Sequence, residues 1–313
     1  MSINLRELCV SVVDTKKMAN YQILQVDAFT TQPLGGNPCA VIFDTDEMDA
    51  ATMQAIAREM NLSETAFVQH SEVADFRARY FTPAEEIPLA GHPTIATSFA
   101  LVDTGRLALQ GAVTTFTLEL QVGPIEVQIF SEAGKIHRIV MSQKKPQFIS
   151  THDPAVVMPI FGLTVNDLLF GYPIETVSTG TPQLMMPVRD LEVLRRVQVN
   201  LAAYKEYRAR SDFFSPHLFC LQGVTSAGQT FARHPGVPPD GLEDPFTGSA
   251  TGGMAAYLWH HGLLPEPTFI AEQGHWMNRP GQAFVEVVGP RDDIETVKVG
   301  GPAVTVLKGQ LTI

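Results

Sequence analysis

The stretch PLAGHPTIATSFAL, residues Pro88–Leu101, predicts a tight turn followed by a helix that is apolar on nearly every face. Gly91 is expected to supply backbone angles that other residues avoid. Pro93 suits the first helical turn, where its missing N–H is not needed. From Thr94 onward the residues are small or apolar, so this helix must be buried on all sides. Its first N–H groups and the positive end of its dipole would still present an anion-binding site.

A second stretch, PFTGSATGGMAAYL at Pro245–Leu258, has the same character. Gly248 and Ser249 begin another run of small and apolar residues that carries no charge. Gly91 and Gly248 are separated by half the length of the chain, which predicts two similar halves whose buried helices face one cleft. Two unrelated core helices would produce the same composition, because Gly-led apolar stretches are common.

The order of the predicted elements repeats as well. Each half is predicted to contain a strand, a Gly–Pro turn, a second strand, a surface helix, further strands and the central helix. The turn GGNP at 35–38 has a counterpart in TGTP at 179–182. Helical spacing predicts surface helices over Met48–Met60 and Leu191–Tyr207, and the proline-rich stretch Pro146–Phe161 is predicted to mark the passage between the halves. The sequence therefore predicts an α+β fold of two packed halves.

The composition bounds the class of protein and its partners. The 313 residues carry a net charge of −11 and are 45% hydrophobic, which is ordinary for a globular chain. No basic block is present, so neither nucleic acid nor a membrane surface is an expected partner. No apolar run is long enough to predict a membrane span. Three cysteines without a CxxC pair, and a stretch 1–17 that is too polar for a secretory signal, predict a cytoplasmic location.

Glu64 is the leading candidate for a general acid/base. It lies in NLSETAFV among apolar neighbours, where a partly desolvated carboxyl group suits proton transfer. The alternative is a structural role at the start of a turn that Asn61 or Ser63 caps.

His92 and Asp244 lie at or just before the starts of the two apolar helices. The dipole at a helix start disfavours the charged imidazolium, so His92 is expected to be a neutral ring. Asp244 either acts on a substrate or closes a turn, and the second role is common for an isolated Asp. Ser249 is not within a G-x-S-x-G nucleophile motif, so its hydroxyl is expected to bind an anion instead.

Metal and nucleotide sites are not predicted. His260 and His261 are adjacent and would point to different faces of a helix, and HExxH is absent. His217, His234 and His275 have no companions at ligand spacing. Neither a P-loop nor a G-x-G-x-x-G fingerprint is present, so no cofactor is expected.

Five motifs in order give the sequence a resemblance to a known family. They are DAFTTQPLGGNPCAVIF, NLSETAFV, RYFTPAEEIPLAGHPTIAT, EDPFTGSA and QGHWMNRPG, which begin at residues 27, 61, 79, 243 and 273. Together they resemble the PhzF-like (phenazine-biosynthesis) family, from about Tyr21 onward. That family shares the diaminopimelate epimerase fold.

The resemblance implies a more detailed architecture than the repeat alone. It is a fold of two pseudo-symmetric lobes, each a mostly antiparallel sheet wrapped around a central apolar helix, with the active site between them. The last strand of such proteins returns to the first lobe. The implied boundaries are an N-terminal extension over 1–20, a first lobe over 21–145 plus about 302–313, and a second lobe over 146–301.

The resemblance also implies an activity. The epimerase relatives of this fold use two cysteines as paired acid and base, but Ala90 and Asp244 stand at the corresponding positions, so two-thiol racemisation is not expected. In the family's characterised isomerase, a Glu at the position matching Glu64 moves a proton between two carbons of a cyclic amino acid. No metal, nucleotide or flavin takes part.

By this resemblance the chain is expected to be a cofactor-independent isomerase and a homodimer. Its substrate would be a small anionic, cyclic or unsaturated amino or hydroxy acid. Two alternatives stay open: a protein of this fold that binds a small acid without turnover and, less expected, a racemase or epimerase. The expected catalytic residues are Glu64, Asp244 and His92, and the expected substrate-binding residues are Gly91, Pro93, Gly248, Ser249 and Ala250.

Overall fold

The computed structural model describes residues 18–236 and 242–313. Within these residues the chain forms 18 β-strands, six α-helices and three short 3-10 helices, a mixed α/β fold with one large sheet. The predicted extension over 1–20 lies outside the described residues except for its last three, of which Asn20 already begins the first strand.

The strands divide evenly between the two halves of the sequence. Those of the first half are β1 (Asn20–Ala28), β2 (Asn37–Ile42), β3 (Glu64–Gln69), β4 (Phe76–Phe81), β5 (Glu86–Ile87), β6 (Val113–Leu120), β7 (Gly123–Glu132), β8 (Lys135–Ser142) and β9 (Gln147–His152). Those of the second half are β10 (Ile174–Ser178), β11 (Pro182–Pro187), β12 (Ser215–Cys220), β13 (Thr230–Pro235), β14 (Glu243–Asp244), β15 (Thr268–Gln273), β16 (Gly281–Val288), β17 (Thr296–Gly301) and β18 (Ala303–Thr312).

Two of the helices confirm the two apolar stretches of the sequence. The α-helices are α1 (Ala50–Met60), α2 (Gly91–Asp103), α3 (Pro154–Val157), α4 (Leu191–Arg196), α5 (Leu201–Arg208) and α6 (Gly248–His260). The 3-10 helices are Met158–Phe161, Val165–Asp167 and His275–Met277. In the part of the chain that the structure describes, no helix has both the length and the apolar character needed to cross a membrane.

Neighbouring strands are hydrogen-bonded in one continuous series. β1 pairs antiparallel with β2 on one side and with β18 on the other. β8 pairs antiparallel with β17, which joins the strands of the two halves of the sequence. Most pairings are antiparallel; the parallel ones are β2–β3, β4–β6, β11–β12 and β13–β15.

The long helices α2 and α6 lie against different strands. α2 packs mainly on β1, β2, β3, β8 and β18, and α6 packs mainly on β10, β11, β12, β16 and β17. Neither sequence has a polar face, so each helix is stable only when apolar strands surround it. Gly252 in α6 is needed for a close approach, because a Cβ there would lie 1.9 Å from the Gln143 side-chain oxygen.

The predicted helix over Leu191–Tyr207 is wrong as a single helix, because it divides into α4 and α5. Asn200 caps the second helix by accepting a hydrogen bond from the N–H of Ala203 at 3.2 Å. The backbone N–H groups of Gln198 and Asn200 donate to carbonyl groups of the first 3-10 helix. Polar partners outside the helix therefore replace the helical hydrogen bonds at this point.

The stretch Pro146–Phe161 is more than the predicted passage between halves. It contains β9, α3 and the first 3-10 helix. β9 pairs only with β10 among the described strands, so it is an edge strand, and none of its residues is fully buried. Such an edge strand lacks the apolar alternation by which strands are recognised in a sequence.

Candidate active site

Glu64 is placed by the end of one helix and the start of one strand. α1 ends at Asn61, whose left-handed backbone (φ 50°) turns the chain. Glu64 is the first residue of β3 and lies opposite Cys39 of the parallel strand β2. Its side chain is only 17% exposed. The capping alternative for this segment is wrong, because Asn61 ends a helix and Glu64 begins a strand.

His92, the second residue of α2, contacts Glu64 directly. Its Nε2 atom lies 3.1 Å from Oε2 of Glu64, and its ring is almost completely buried. Burial lowers the pKa of His92 to about 4, although the charge of Asp244 acts in the opposite direction. The ring is therefore neutral near pH 7 and carries one proton.

Asn37, the first residue of β2, determines which ring nitrogen carries that proton. It is completely buried, and its side-chain nitrogen lies 3.0 Å from His92 Nδ1, 2.8 Å from an oxygen of Asp244 and 2.8 Å from the carbonyl oxygen of Phe246. The reverse orientation of the amide would place its oxygen against two other oxygens, so the nitrogen is assigned to this side. The two N–H groups of the amide are shared among these three neighbours, and an amide nitrogen cannot accept. Nδ1 of His92 is therefore assigned as the unprotonated nitrogen, and the proton is assigned to Nε2, which lies 3.1 Å from Glu64.

Asp244 lies on the short strand β14 and is held by hydroxyl and amide donors. Ser63 donates to one carboxylate oxygen at 2.9 Å, and Thr247 donates to the other. Gln273 donates to the backbone oxygen of Asp244 at 2.7 Å. No side chain caps the start of α6, but the bond from Thr247, three residues further on, agrees with the expected alternative in which Asp244 closes a turn. Its carboxylate remains partly exposed beside Ser63.

The starts of α2 and α6 meet in the middle of the molecule. A Cβ atom on Gly91 would lie 3.0 Å from Cα of Gly248 and 3.1 Å from the nitrogen of Ser249. Gly91 does not have a positive φ, so the expectation of unusual backbone angles is wrong; the position requires a small residue instead. No side chain caps either helix, which leaves their first N–H groups available to a ligand.

The predicted substrate-binding residues share these two helix starts but differ in exposure. Gly91, Pro93, Gly248 and Ala250 are buried, whereas Ser249 is partly exposed. The hydroxyl of Ser249 has no hydrogen-bond partner among the described residues. Ser249 is therefore the one side chain of this set that is open to a bound molecule.

Two histidines that were not expected to bind a metal, His217 and His234, contact each other next to Asp244. His234 is paired with Asp244 across β13 and β14, and its Nδ1 lies 3.2 Å from Nδ1 of His217. Ser215 contacts the other ring nitrogen of His234 at 2.8 Å. Burial lowers the pKa of His234 to about 4 and that of His217 well below its ordinary value. Both rings are therefore neutral and buried next to β14.

The described cysteines are unsuited to act as bases. Cys39 and Cys220 are buried. Burial and the neighbouring Glu64 raise the pKa of Cys39 well above its usual range, and burial raises the pKa of Cys220 to about 11. Cys9 lies outside the described residues. Among residues 18–236 and 242–313, no three metal-ligating side chains come together.

Four residues of the site were not predicted: Asn37, Ser63, Thr247 and Gln273. Each holds Asp244, His92 or the chain beside them. Asn37 does stand in GGNP, which the sequence marked as a turn. The motif gave no sign that its side chain reaches a residue 207 positions away.

Comparison with known proteins places this chain in a family. A model of the family described as phenazine biosynthesis-like protein matches residues 26–309. The Bacillus subtilis (strain 168) protein named uncharacterized isomerase YfhB is 34% identical over 86% of this chain and 92% of its own length. The trans-2,3-dihydro-3-hydroxyanthranilate isomerase of Pseudomonas fluorescens is 33% identical over 95% of this chain and 100% of its own length.

The fold agrees with a solved structure. The Bacillus anthracis phenazine biosynthesis protein of the PhzF family superposes with a TM-score of 0.83 at 33% identity, over 94% of this chain and all of that one. Together, the matched family model, the isomerase relatives and this structure show that the chain belongs to the phenazine biosynthesis-like (PhzF) family and is an isomerase.

Proposed function

We propose that this isomerase moves a proton between two carbons of a small cyclic or unsaturated amino or hydroxy acid, with Glu64 as the general acid/base. The observation that carries the proposal is the 3.1 Å contact between Glu64 and the neutral ring of His92 at the start of α2. A carboxylate next to a neutral imidazole is partly desolvated and still has lone pairs for a carbon-bound proton.

The helix starts supply the second part of the mechanism. Removing a proton beside a carboxylate develops negative charge on the substrate, and the uncapped N–H groups of α2 and α6 point to such charge. The hydroxyl of Ser249 adds one donor. Glu64 would then return the proton to another carbon, so that atoms and charge balance without any added reactant.

Asp244 suits the polar substituent of such a substrate. Its carboxylate is partly exposed and is held in place by Ser63, Thr247 and Asn37. It can accept a hydrogen bond from an ammonium or a hydroxyl group. A cyclic acid with a hydroxyl or amino group, like the compound in the name of the Pseudomonas fluorescens relative, has both features.

The test is deuterium uptake from D₂O into a panel of cyclic amino and hydroxy acids, including trans-2,3-dihydro-3-hydroxyanthranilate. Glu64→Gln keeps the shape of the side chain and removes the base, so exchange should fall by about 10²–10⁴-fold. Glu47→Gln, at an exposed position, is the matched control and should exchange like the wild type. Full exchange by Glu64→Gln on a substrate of the wild type would refute the proposed role.

The same panel separates the non-catalytic alternative. A small acid that raises the melting temperature of the wild type but acquires no deuterium would identify a binding protein. Activity that survives alkylation of the thiols would exclude the racemase alternative, which depends on cysteine.

We also propose that the two halves are lobes, over 21–145 with about 302–313 and over 146–301. This is supported by the separate sets of strands around α2 and α6, and by the return of β18 to β1. Native-state hydrogen exchange should then show two cooperative units. A single unit spanning both sets of strands would contradict the proposal.

A further inference from the structure

A cleft of about 500 Å³ lies away from Glu64, His92 and Asp244. The cleft is lined by residues of the neighbouring strands β8, β15, β16 and β17, by the chain that follows β1, and by His275. Its volume is that of a site for a small organic molecule. The walls include the apolar side chains of Phe29, Ile270 and Phe284.

Arg138 is the charged group of this cleft. Its guanidinium lies between two rings, 4.5 Å from the centroid of Phe130 and 4.4 Å from that of Phe284. Its Nε atom is buried without a hydrogen-bond partner, and no ion pair involves this residue among the described ones. The two rings hold the planar group at a fixed position with its charge uncompensated.

The other polar groups of the cleft are also suited to an anion. Nδ1 of His275 is buried without a partner, and no Asp or Glu lines the cleft. Glu272 does not line the cleft, although its charge interacts with His275, and it already accepts hydrogen bonds from the N–H of Val224 at 2.7 Å and from Gln282 at 2.8 Å.

We propose that this cleft binds a small organic carboxylate, with the guanidinium of Arg138 donating to the carboxylate group. The apolar body of the ligand lies against Phe284 and Ile270, which is why an organic acid fits better than an inorganic anion. Nδ1 of His275 is a second contact for the carboxylate when it carries the ring proton. The site is separate from the proposed isomerase centre and does not depend on its chemistry.

One residue that lines the cleft, Phe29, also packs against the start of α6. Phe29 lines the cleft, and its ring stacks on Phe246 with 4.3 Å between centroids. Its Cζ atom lies 3.0 Å from the place where a Cβ of Gly248 would be. A molecule in the cleft would therefore contact the ring that packs against the start of α6.

The experiment follows the side-chain Nε–Hε signal of Arg138 in ¹H–¹⁵N spectra while benzoate is added to the full chain. The signal is identified by its loss in Arg138→Lys, and it reports this cleft whatever binds elsewhere. We expect a saturable shift with benzoate and a much smaller one with inorganic phosphate. Calorimetry should show benzoate affinity at the cleft at least 10-fold weaker in Arg138→Gln and unchanged in Arg77→Gln, an arginine outside the cleft.

Every other result overturns the proposal. These results are no shift with benzoate, a shift equal to that with phosphate, or unchanged affinity in Arg138→Gln. The proposal is also wrong if sedimentation shows that the wild type forms a dimer through this cleft and that the dimer dissociates in Arg138→Gln. Because Arg138→Gln removes a stacked group, His275→Gln provides a second variant whose benzoate affinity should also fall while its fold is checked by its melting temperature.

Discussion

At the scale of single residues, Asn37 is the group on which the chemistry of His92 depends. Its amide favours the Nε2–H tautomer of His92, which places the ring proton on the nitrogen that lies 3.1 Å from Glu64. We predict that Asn37→Ala lowers kcat/KM by about 10–100-fold, as the loss of an orienting partner does in other sites. ¹⁵N-histidine spectra should show mixed tautomers of His92 in this variant and a single Nε2–H tautomer in the wild type.

Asn37→Asp distinguishes this role from simple packing. The new carboxyl group would face the carboxylate of Asp244 and the carbonyl oxygen of Phe246, so the two carboxyl groups should share a proton and the pKa of the pair should be raised. The acid limb of the pH profile of kcat/KM should move in the same direction. An unchanged tautomer in Asn37→Ala, or an unchanged profile in Asn37→Asp, would mean that Asn37 only fills space.

The sequence predicted the candidate site residues Glu64 and His92, but it did not predict Asn37, which holds His92 in place. Glu64 and His92 stand in recognisable local settings, a carboxylate among apolar residues and a histidine at a helix start. The role of Asn37 arises only when β2, α2 and β14 meet, because its partners lie 55 and 207 positions away. Local periodicity cannot report such contacts.

At the scale of elements, the site depends on how closely α2 and α6 approach each other. Gly91→Ala would place a Cβ 3.0 Å from the backbone of Gly248, so the helix starts must separate. We predict a loss of about 1–3 kcal/mol in the free energy of unfolding. We also predict a lower kcat/KM, because both groups of N–H donors shift. Urea unfolding and deuterium uptake measure the two effects.

Gly309→Ala is the matched control for this change. Gly309 is in β18, and a Cβ there would meet its nearest atoms at 3.8 Å, an ordinary contact. Its effect on stability should stay within about 0.5 kcal/mol. If Gly91→Ala unfolds at the same urea concentration as Gly309→Ala, the close approach of the helices is not required.

The elements that the sequence predicted best are those with one dominant signal. α2 and α6 are long and apolar throughout, and neither contains an internal capping residue that would end the helix early. Leu191–Tyr207 has helical spacing but also Asn200, whose side chain caps a new helix, so tertiary hydrogen bonds decide the outcome. β9 is a polar edge strand beside prolines and has no apolar period to recognise.

At the scale of the whole molecule, buried histidines set the response to acid. Burial lowers the pKa of His92 and of His234 to about 4, and that of His217 further below its ordinary value. In the unfolded chain each titrates near ~6.5. Between about pH 6.5 and 4 the unfolded chain therefore binds more protons, so the free energy of unfolding falls as the pH is lowered. The urea midpoint should drop between pH 7.5 and 5.

Acidic groups affect a lower range of pH. The pKa values of Asp167 and Glu272 are lowered, so their contribution is lost only below about pH 4.5, whereas the raised pKa of Asp27 acts in the opposite direction. His217→Asn removes one of the buried histidines, so the free energy of unfolding should fall less between pH 7.5 and 5 than in the wild type. This holds whatever the effect of the substitution on stability at neutral pH. His137→Asn, an exposed control, should leave the slope unchanged. Equal slopes in the two variants would contradict this assignment.

The position of β1 between β2 and β18 has a consequence for the synthesis of the protein. β18 is translated about 275 residues after β1, which takes roughly 15–55 s at ~5–20 residues per second. During that interval β1 can pair with β2 but has an open edge on its other side, and an open edge favours pairing with other chains. The growing polypeptide thus passes through a prolonged aggregation-prone stage on the ribosome, when a chaperone covering β1 would be of most benefit.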